Sequence, residues 1–351
     1  MVAARIHTAL ENASIDRLQR PMRSLRVSVI DRCDLRCRYC MPEEHYAWLP
    51  KADILSFDEI ERAVSTFAEL GVDRVRITGG EPLLRPHVEE LVARIADMPS
   101  IGDLALTTNG TQLAQRAEAL RRAGLQRITV SLDSLRRERL EQLTRRDALA
   151  SVLSGIDAAS GAGFDALKIN TVVMRGFNDD EIVDLIEYGK RVGAEVRFIE
   201  YMDVGGATHW SQGEVVTRRD ILALLEQHYG PIAADGPQGA APAARFQLQD
   251  GTRFGIIASV SEPFCGTCDR SRLTADGMWY LCLYAGEGHD LRTYLRAPEQ
   301  RDALIDYVRA TWNGRQDRGA EHRLEDPARG ALFAIEDLRE DPHREMHTRG
   351  G

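Results

Sequence analysis

All six cysteines of this chain fall into two triplets, Cys33, Cys37 and Cys40 spaced C-x3-C-x2-C, and Cys265, Cys268 and Cys282 spaced C-x2-C-x13-C. Three thiolates so spaced can hold three irons of a cubane iron–sulfur cluster and leave the fourth iron open to another ligand. A structural zinc site is the competing reading. Such sites close with four Cys or His ligands, and no histidine and no fourth cysteine lies within the first triplet. His45, five residues beyond Cys40, is the nearby candidate for a fourth ligand. Scattered structural cysteines would not sort into two triplets with none left over, so two metal clusters is the expectation.

Other residues with chemistry gather near these triplets. Residues 25–42, LRVSVIDRCDLRCRYCMP, run an apolar strand into the first cysteine loop, and Thr78-Gly79-Gly80-Glu81-Pro82 follows the next strand. Glycines without Cβ let the backbone approach a ligand closely, although a Gly-Gly pair also makes a plain strand-to-helix turn. Arg270 and Arg272 lie two residues apart just after Cys268, which in an extended segment puts both guanidinium groups on one face, within reach of one anion. Lys168 sits inside the apolar run ALKINTVV, where a buried lysine needs a partner.

Composition sets the outer limits. Hydrophobic residues make up 43% and charged residues 28% of 351, with no 18-residue apolar run to span a bilayer and no secretory signal at the start. These features point to the cytoplasm, where six cysteines do not form a disulfide framework. The 45 Lys and Arg against 54 Asp and Glu leave −9, which argues against a general nucleic-acid binder. An anionic substrate would need a local basic pocket.

The elements that must position these residues alternate. Ser56-Phe57-Asp58-Glu59 has the form of a capping box, followed by Phe57, Ile60, Val64 and Phe67 at helical spacing and closed by Gly71. Strands are expected at 72–77, 103–106, 127–132, 167–174 and 195–202. Helices are expected at 88–96, from 111 to 123, through 162, and after Asn178, which could cap one that Gly193 ends. Six β-α units in a row give a parallel sheet, either a barrel or a doubly wound open sheet. The unusual residues Cys33, Gly79-Gly80-Glu81, Thr107-Thr108-Asn109, Ser131 and Met202 come just past the strands, and in barrels those ends converge on one mouth. An incomplete parallel (β/α) barrel is therefore expected over 1–234. An exposed linker follows at 235–244, then a β-rich region from 245 to 351 carrying the second triplet, with short strands within 245–257 and 271–284 and helices near 289–298 and 299–312. From Arg315 the composition is charged, so part of the end is expected to be mobile.

Taken together, CDLRCRYCMPEE, RITGGEPLLR, FCGTCDRSRLTADG and the closing Gly350-Gly351 resemble the GTP 3',8-cyclases of molybdenum-cofactor biosynthesis, the MoaA family of radical S-adenosylmethionine (SAM) enzymes. The resemblance runs from about Leu25 to the last residue, and it implies two [4Fe-4S] clusters, with SAM on the open iron of the first and GTP on the second. It implies that the 5'-deoxyadenosyl radical takes hydrogen from ribose C3' and that the carbon radical attacks guanine C8. By the same resemblance Tyr39, Gly80, Ser131 and Met202 contact SAM, with Glu81 supporting its amino group. Arg26, Arg76, Thr107, Lys168, Arg270 and Arg272 serve GTP, and the diglycine tail reaches into the barrel. For Arg26 the plain alternative is a charge flanking a strand. An electron donor such as flavodoxin or ferredoxin and a downstream cyclic pyranopterin monophosphate synthase are implied as partners, and a homodimer stays open. Asp34 and Asp269 stand where many members have Asn, and Trp279-Tyr280 precedes Leu281-Cys282. A radical SAM peptide-modifying maturase, which also pairs a SAM cluster with C-terminal cysteines, is the nearest alternative.

Overall fold

The structure, a computed structural model, describes residues 13–43 and 45–350. Its frame is one open sheet of twelve strands in the order β12-β11-β10-β1-β2-β3-β4-β5-β6-β9-β8-β7. The strands are β1 (Ser24–Ser28), β2 (Arg74–Thr78), β3 (Asp103–Thr108), β4 (Arg127–Ser131), β5 (Ala166–Val173), β6 (Glu195–Glu200), β7 (Ala233–Ala234), β8 (Ala244–Gln247), β9 (Arg253–Ile257), β10 (Arg270–Leu273), β11 (Met278–Tyr280) and β12 (His289–Asp290). The run from β10 through β1 to β6 and on to β9 is parallel throughout. The expected partial barrel is present, and the region after residue 245 continues its sheet at both edges through β9 and β10.

The parallel strands β1 to β6 send alternate residues to opposite faces. Leu25, Val27, Val75, Ile77, Leu106, Val130, Ile169, Val196 and Phe198 point outward into the core cluster, where helices such as Phe57–Glu69 and Ile182–Val192 cover them. A parallel sheet covered on both faces reads as continuously apolar. This one carries Arg26, Arg76, Thr107, Thr129, Lys168 and Arg197 on alternate positions, so its inner face lines a polar space.

Local signals in the sequence place the covering helices. Ser56 caps Phe57–Glu69 by accepting from the Glu59 N–H at 3.2 Å while the Glu59 carboxylate accepts from Ser56 N–H at 2.6 Å. Phe67 of that helix packs edge-on to Trp279 of β11 with ring centroids 5.3 Å apart, both fully buried. Truncating Phe67 to Ala would cost about 3–5 kcal/mol and loosen the strand that leads to Cys282. Asn178 stands at the N-cap position of a 3-10 turn, Asp179–Glu181, that leads into the helix, but its side chain makes no capping bond. Its side chain instead donates to the Val172 and Asp133 carbonyls and accepts from Met174 N–H, bracing the loop after β5, and the helix starts four residues on at Ile182. Within the end expected to be partly mobile, His347, Thr348 and Arg349 are buried.

Candidate active site

The inner face of the sheet and the loops past its strands enclose a cavity of about 320 Å³. Register puts Arg26 directly between Arg272 and Arg76, so three adjacent strands carry a row of guanidinium groups on one face. Arg197 and Arg270 also line the cavity. Like charges opposite each other on neighbouring strands destabilise a sheet, and burial adds to the cost. Burial, with Arg272 next in weight, holds Arg26 well below the usual arginine range; burial and Arg127 bring Arg76 to about 10; burial and Arg270 bring Arg272 to about 9. A polyanion is the ligand that would relieve this row.

At one end stands the first cysteine loop. The turn after β2 closes on it, with Gly80 N–H donating to the Ile30 carbonyl and Glu81 N–H to the Arg32 carbonyl, each at 2.8 Å. A Cβ on Gly80 would lie 2.3 Å from the Arg32 carbonyl oxygen, so the glycine is required by contact with the loop backbone itself. Cys33 Sγ accepts from Leu35 N–H at 3.4 Å and lies 3.7 Å from Asn109 Nδ2. Asn109 is held by Asp34 Oδ1 at 2.7 Å and through its own N–H by Glu81 at 2.7 Å. The Tyr39 hydroxyl donates to Asp133 at 2.7 Å, and Asp133 also accepts Val172 N–H at 2.8 Å. Burial pushes the Cys33 thiol up to about 12 and Asp133 up to about 6, and raises Cys37 and Cys40 as well.

The second triplet lines the other end. Cys265 opens the short turn Cys265–Thr267, Cys268 precedes β10, and Cys282 follows β11. Arg270 Nη2 lies 3.6 Å and Arg315 Nη2 3.7 Å from Cys268 Sγ. Burial works to raise the Cys268 thiol, but the two guanidinium groups outweigh it and bring it down to about 7, whereas burial pushes Cys282 up to about 11. Arg20, in a fully buried ion pair with Asp16, donates to the Cys265 carbonyl at 2.9 Å and fastens that turn. A single metal ion needs its sulfur donors about 2.3 Å from one point. Among the described residues no three Cys, His, Asp or Glu groups converge in that way. Two sets of three half-buried thiols facing one cavity fit cubane clusters held on three irons each.

Of the residues expected at the site, Tyr39, Gly80, Ser131, Met202, Arg26, Arg76, Thr107, Arg270, Arg272 and all six cysteines line the cavity. Glu81 does not. Its buried carboxylate, pushed up to about 7 by burial, accepts from Leu83 N–H, the Thr108 hydroxyl and Asn109 N–H, and so fixes the turn behind the wall. Lys168 lies one inward position deeper on β5 than Asn170, which does line the cavity. Gly350 presents its carbonyl to Arg26 and Arg272, each at 3.2 Å, and Gly351 lies outside the described residues. His45 is exposed. Asp269 pairs with Arg74, and Asp34 with Asn109 and Thr111, so both carboxylates are engaged beside the triplets. Sequence reading missed Arg197, Asp133 and Arg315, whereas Asn109 lines the cavity as its place just past a strand suggested. The alternation in EVRFIEYM held the signal for Arg197; nothing local marks Arg315.

Comparison with known proteins agrees with this geometry. A model of the radical SAM superfamily matches residues 27–189, and one described as Molybdenum Cofactor Synthesis C matches residues 194–321. GTP 3',8-cyclase 1 of Mycobacterium tuberculosis is 54% identical over 340 residues, covering 96% of this chain and 95% of the relative. The chain belongs to the GTP 3',8-cyclase family. Family members from Acidothermus cellulolyticus and Aquifex aeolicus are each 45% identical, over 89% and 88% of this chain and 89% and 94% of theirs. The crystal structure of Streptococcus suis SuiB bound to S-adenosylmethionine shares the fold, with a TM-score of 0.59 at 15% identity over 88% of this chain and 72% of that one. Among the described residues no helix is long and apolar enough to cross a membrane.

Proposed function

We infer that this chain is a GTP 3',8-cyclase, a radical SAM lyase that uses two [4Fe-4S] clusters and SAM. The observation that carries the GTP site is the Arg272-Arg26-Arg76 row standing between two cysteine triplets in one cavity. When bound at Cys33, Cys37 and Cys40, a cluster supplies the electron that cleaves SAM to the 5'-deoxyadenosyl radical. That radical takes the hydrogen from C3' of GTP and leaves as 5'-deoxyadenosine, the sugar radical closes on C8 of guanine, and the resulting nucleotide radical takes up one electron from the reductant and one proton at N7 to give (8S)-3',8-cyclo-7,8-dihydroguanosine 5'-triphosphate.

The chain's own residues do the positioning. Cys265, Cys268 and Cys282 would hold the second cluster beside the guanine. Arg26, Arg76, Arg270 and Arg272, with Lys168 beneath, take the triphosphate, and Thr107 borders it; guanidinium forks suit phosphate oxygens. Tyr39, Gly80, Ser131 and Met202 form the SAM side, where Asp133 fixes the Tyr39 hydroxyl and Glu81 the turn. Apolar residues such as Leu35, Ile199 and Ile257 in the wall keep water from the radical. A partial barrel over 1–234 and a second-cluster region over 245–351 divide these tasks. An acidic one-electron carrier of the flavodoxin or ferredoxin type and a downstream cyclic pyranopterin monophosphate synthase are the partners that fit, in the cytoplasm. Anaerobic incubation of the reconstituted protein with SAM, reductant and GTP should yield the 3',8-cyclised nucleotide together with 5'-deoxyadenosine. 5'-Deoxyadenosine with unaltered GTP would sink this assignment.

A further inference from the structure

Residues 341–350 return from the surface to the cavity, and Arg349 fastens them there. Its side chain lies with Cζ 4.1 Å from the Tyr280 ring centroid and is 1% exposed. Nη1 donates to the carbonyls of Leu283 at 3.0 Å and Ala285 at 2.7 Å, and Nε to the His343 carbonyl. Tyr280, Leu283 and Ala285 bracket Cys282, so the cation holds the very segment that carries the third cysteine of the second triplet.

This is a costly way to stabilise a chain end. A buried guanidinium is expensive, and Nη2 finds no partner among the described residues, as is also true of the buried Thr348 hydroxyl. The return is geometric. The carbonyls of Arg349 and Gly350 accept from Arg272 Nη1 at 3.1 and 3.2 Å, and Gly350 also accepts from Arg26 Nη1 at 3.2 Å. Gly350 has φ +72°, and a Cβ there would lie 2.3 Å from Thr78 Cγ2, so the chain passes between the end of β2 and the arginine row where only glycine fits.

We propose that Arg349 is the positioning residue of the tail: anchored on the Cys282 segment, it sets the Gly350 backbone against Arg26 and Arg272 and couples the tail to the second triplet. Two of the cations assigned to the triphosphate are thereby fixed by main-chain carbonyls before substrate arrives. This rests on the cyclase reading for its effect on turnover, but not for the anchoring itself.

The test compares reconstituted holoenzyme with R349A, R349K and a form lacking Gly350-Gly351. Four quantities are measured: iron per chain, hydrogen exchange over residues 341–350, SAM cleavage, and cyclised product with kcat and KM for GTP. R349A should keep its iron and its SAM cleavage, lose exchange protection over 341–350, and lose about 100-fold in kcat/KM, as misplacement by an ångström can cause. R349K should recover part of both losses, since an ammonium reaches carbonyls but cannot stack as a planar fork. Wild-type protection and turnover in R349A would overturn the proposal, as would loss of iron in step with product. If the unaltered holoenzyme made no cyclised product, the functional reading would fail while the exchange comparison still decided the anchor.

Discussion

The two ends of the cavity are built from opposite charge. Around Cys33, Cys37 and Cys40 stand the half-buried Asp34 and the buried carboxylates Asp133, Glu81 and Glu345, and all three thiols are raised by burial. Around Cys268 stand Arg270, Arg315 and the Arg272-Arg26 pair, with the buried Asp269 taken up by Arg74, and that thiol is brought down to about 7. The same donor set thus meets two electrostatic settings. An acidic setting suits SAM, which carries a sulfonium and an ammonium; a cationic one suits a triphosphate, and in a partly buried site each such contact is worth more than in water. The triplets differ in spacing, and their neighbours add the difference in charge.

The sharpest way to break this comparison is to remove one triplet at a time. Replacing Cys33, Cys37 and Cys40 by Ala should leave about half the iron and abolish SAM cleavage, since one of two cluster sites survives. The same change at Cys265, Cys268 and Cys282 should also halve the iron, yet retain SAM cleavage and lose cyclised product. Identical loss of SAM cleavage in both proteins would mean that the ends are not specialised. Next in size are R270A and R272A. Each removes a charged hydrogen bond of about 1.5–3 kcal/mol, or about 10- to 150-fold in GTP affinity, with SAM affinity unchanged. Titration calorimetry with each ligand separates the two.

Much of this was legible in the sequence, for physical reasons that differ from residue to residue. The cysteine spacing and the β-α alternation are local, and the Ser56-Glu59 capping box forms as written because both its partners lie within one helical turn. Gly80 was expected to let the backbone approach a ligand; in the structure its missing Cβ makes room for the Arg32 carbonyl of the cysteine loop. Arg26, Arg76 and Arg272 become a row only through strand order, which no single strand encodes. The part that composition misread is the tail, since a charged, glycine-ended segment scores as solvated unless Arg349 finds carbonyls far away in sequence.

A smaller effect sharpens the acidic end. D133N removes the carboxylate that accepts from Tyr39 and Val172 while keeping the shape of the side chain. One charge-assisted bond at about 1.5 kcal/mol corresponds to about tenfold in SAM affinity, and GTP affinity should not move. Equal losses for both ligands would show that Asp133 supports the whole cavity instead of one end.

The mildest perturbation is pH, read at Lys168. Burial and then Arg197 lower this lysine from 10.5 to about 7, with Glu195 opposing and Arg127 and Arg76 adding repulsion. For the free protein the sign follows directly: between about 7 and 10.5 the unfolded chain binds the proton more readily than the folded one, so stability rises with pH across that window. Triphosphate reverses the local balance by supplying the missing negative charge, which favours the protonated amine. GTP binding should then take up a proton above pH 7, and affinity should fall by up to about tenfold per pH unit as pH rises from there. Below pH 7 the lysine carries its proton with or without GTP, and the slope should vanish. Calorimetry at pH 8 in two buffers of different ionisation enthalpy would measure the uptake, and K168M should bind more weakly at pH 7 but with a flatter profile. An unaltered slope in K168M would assign the proton to another group in the row.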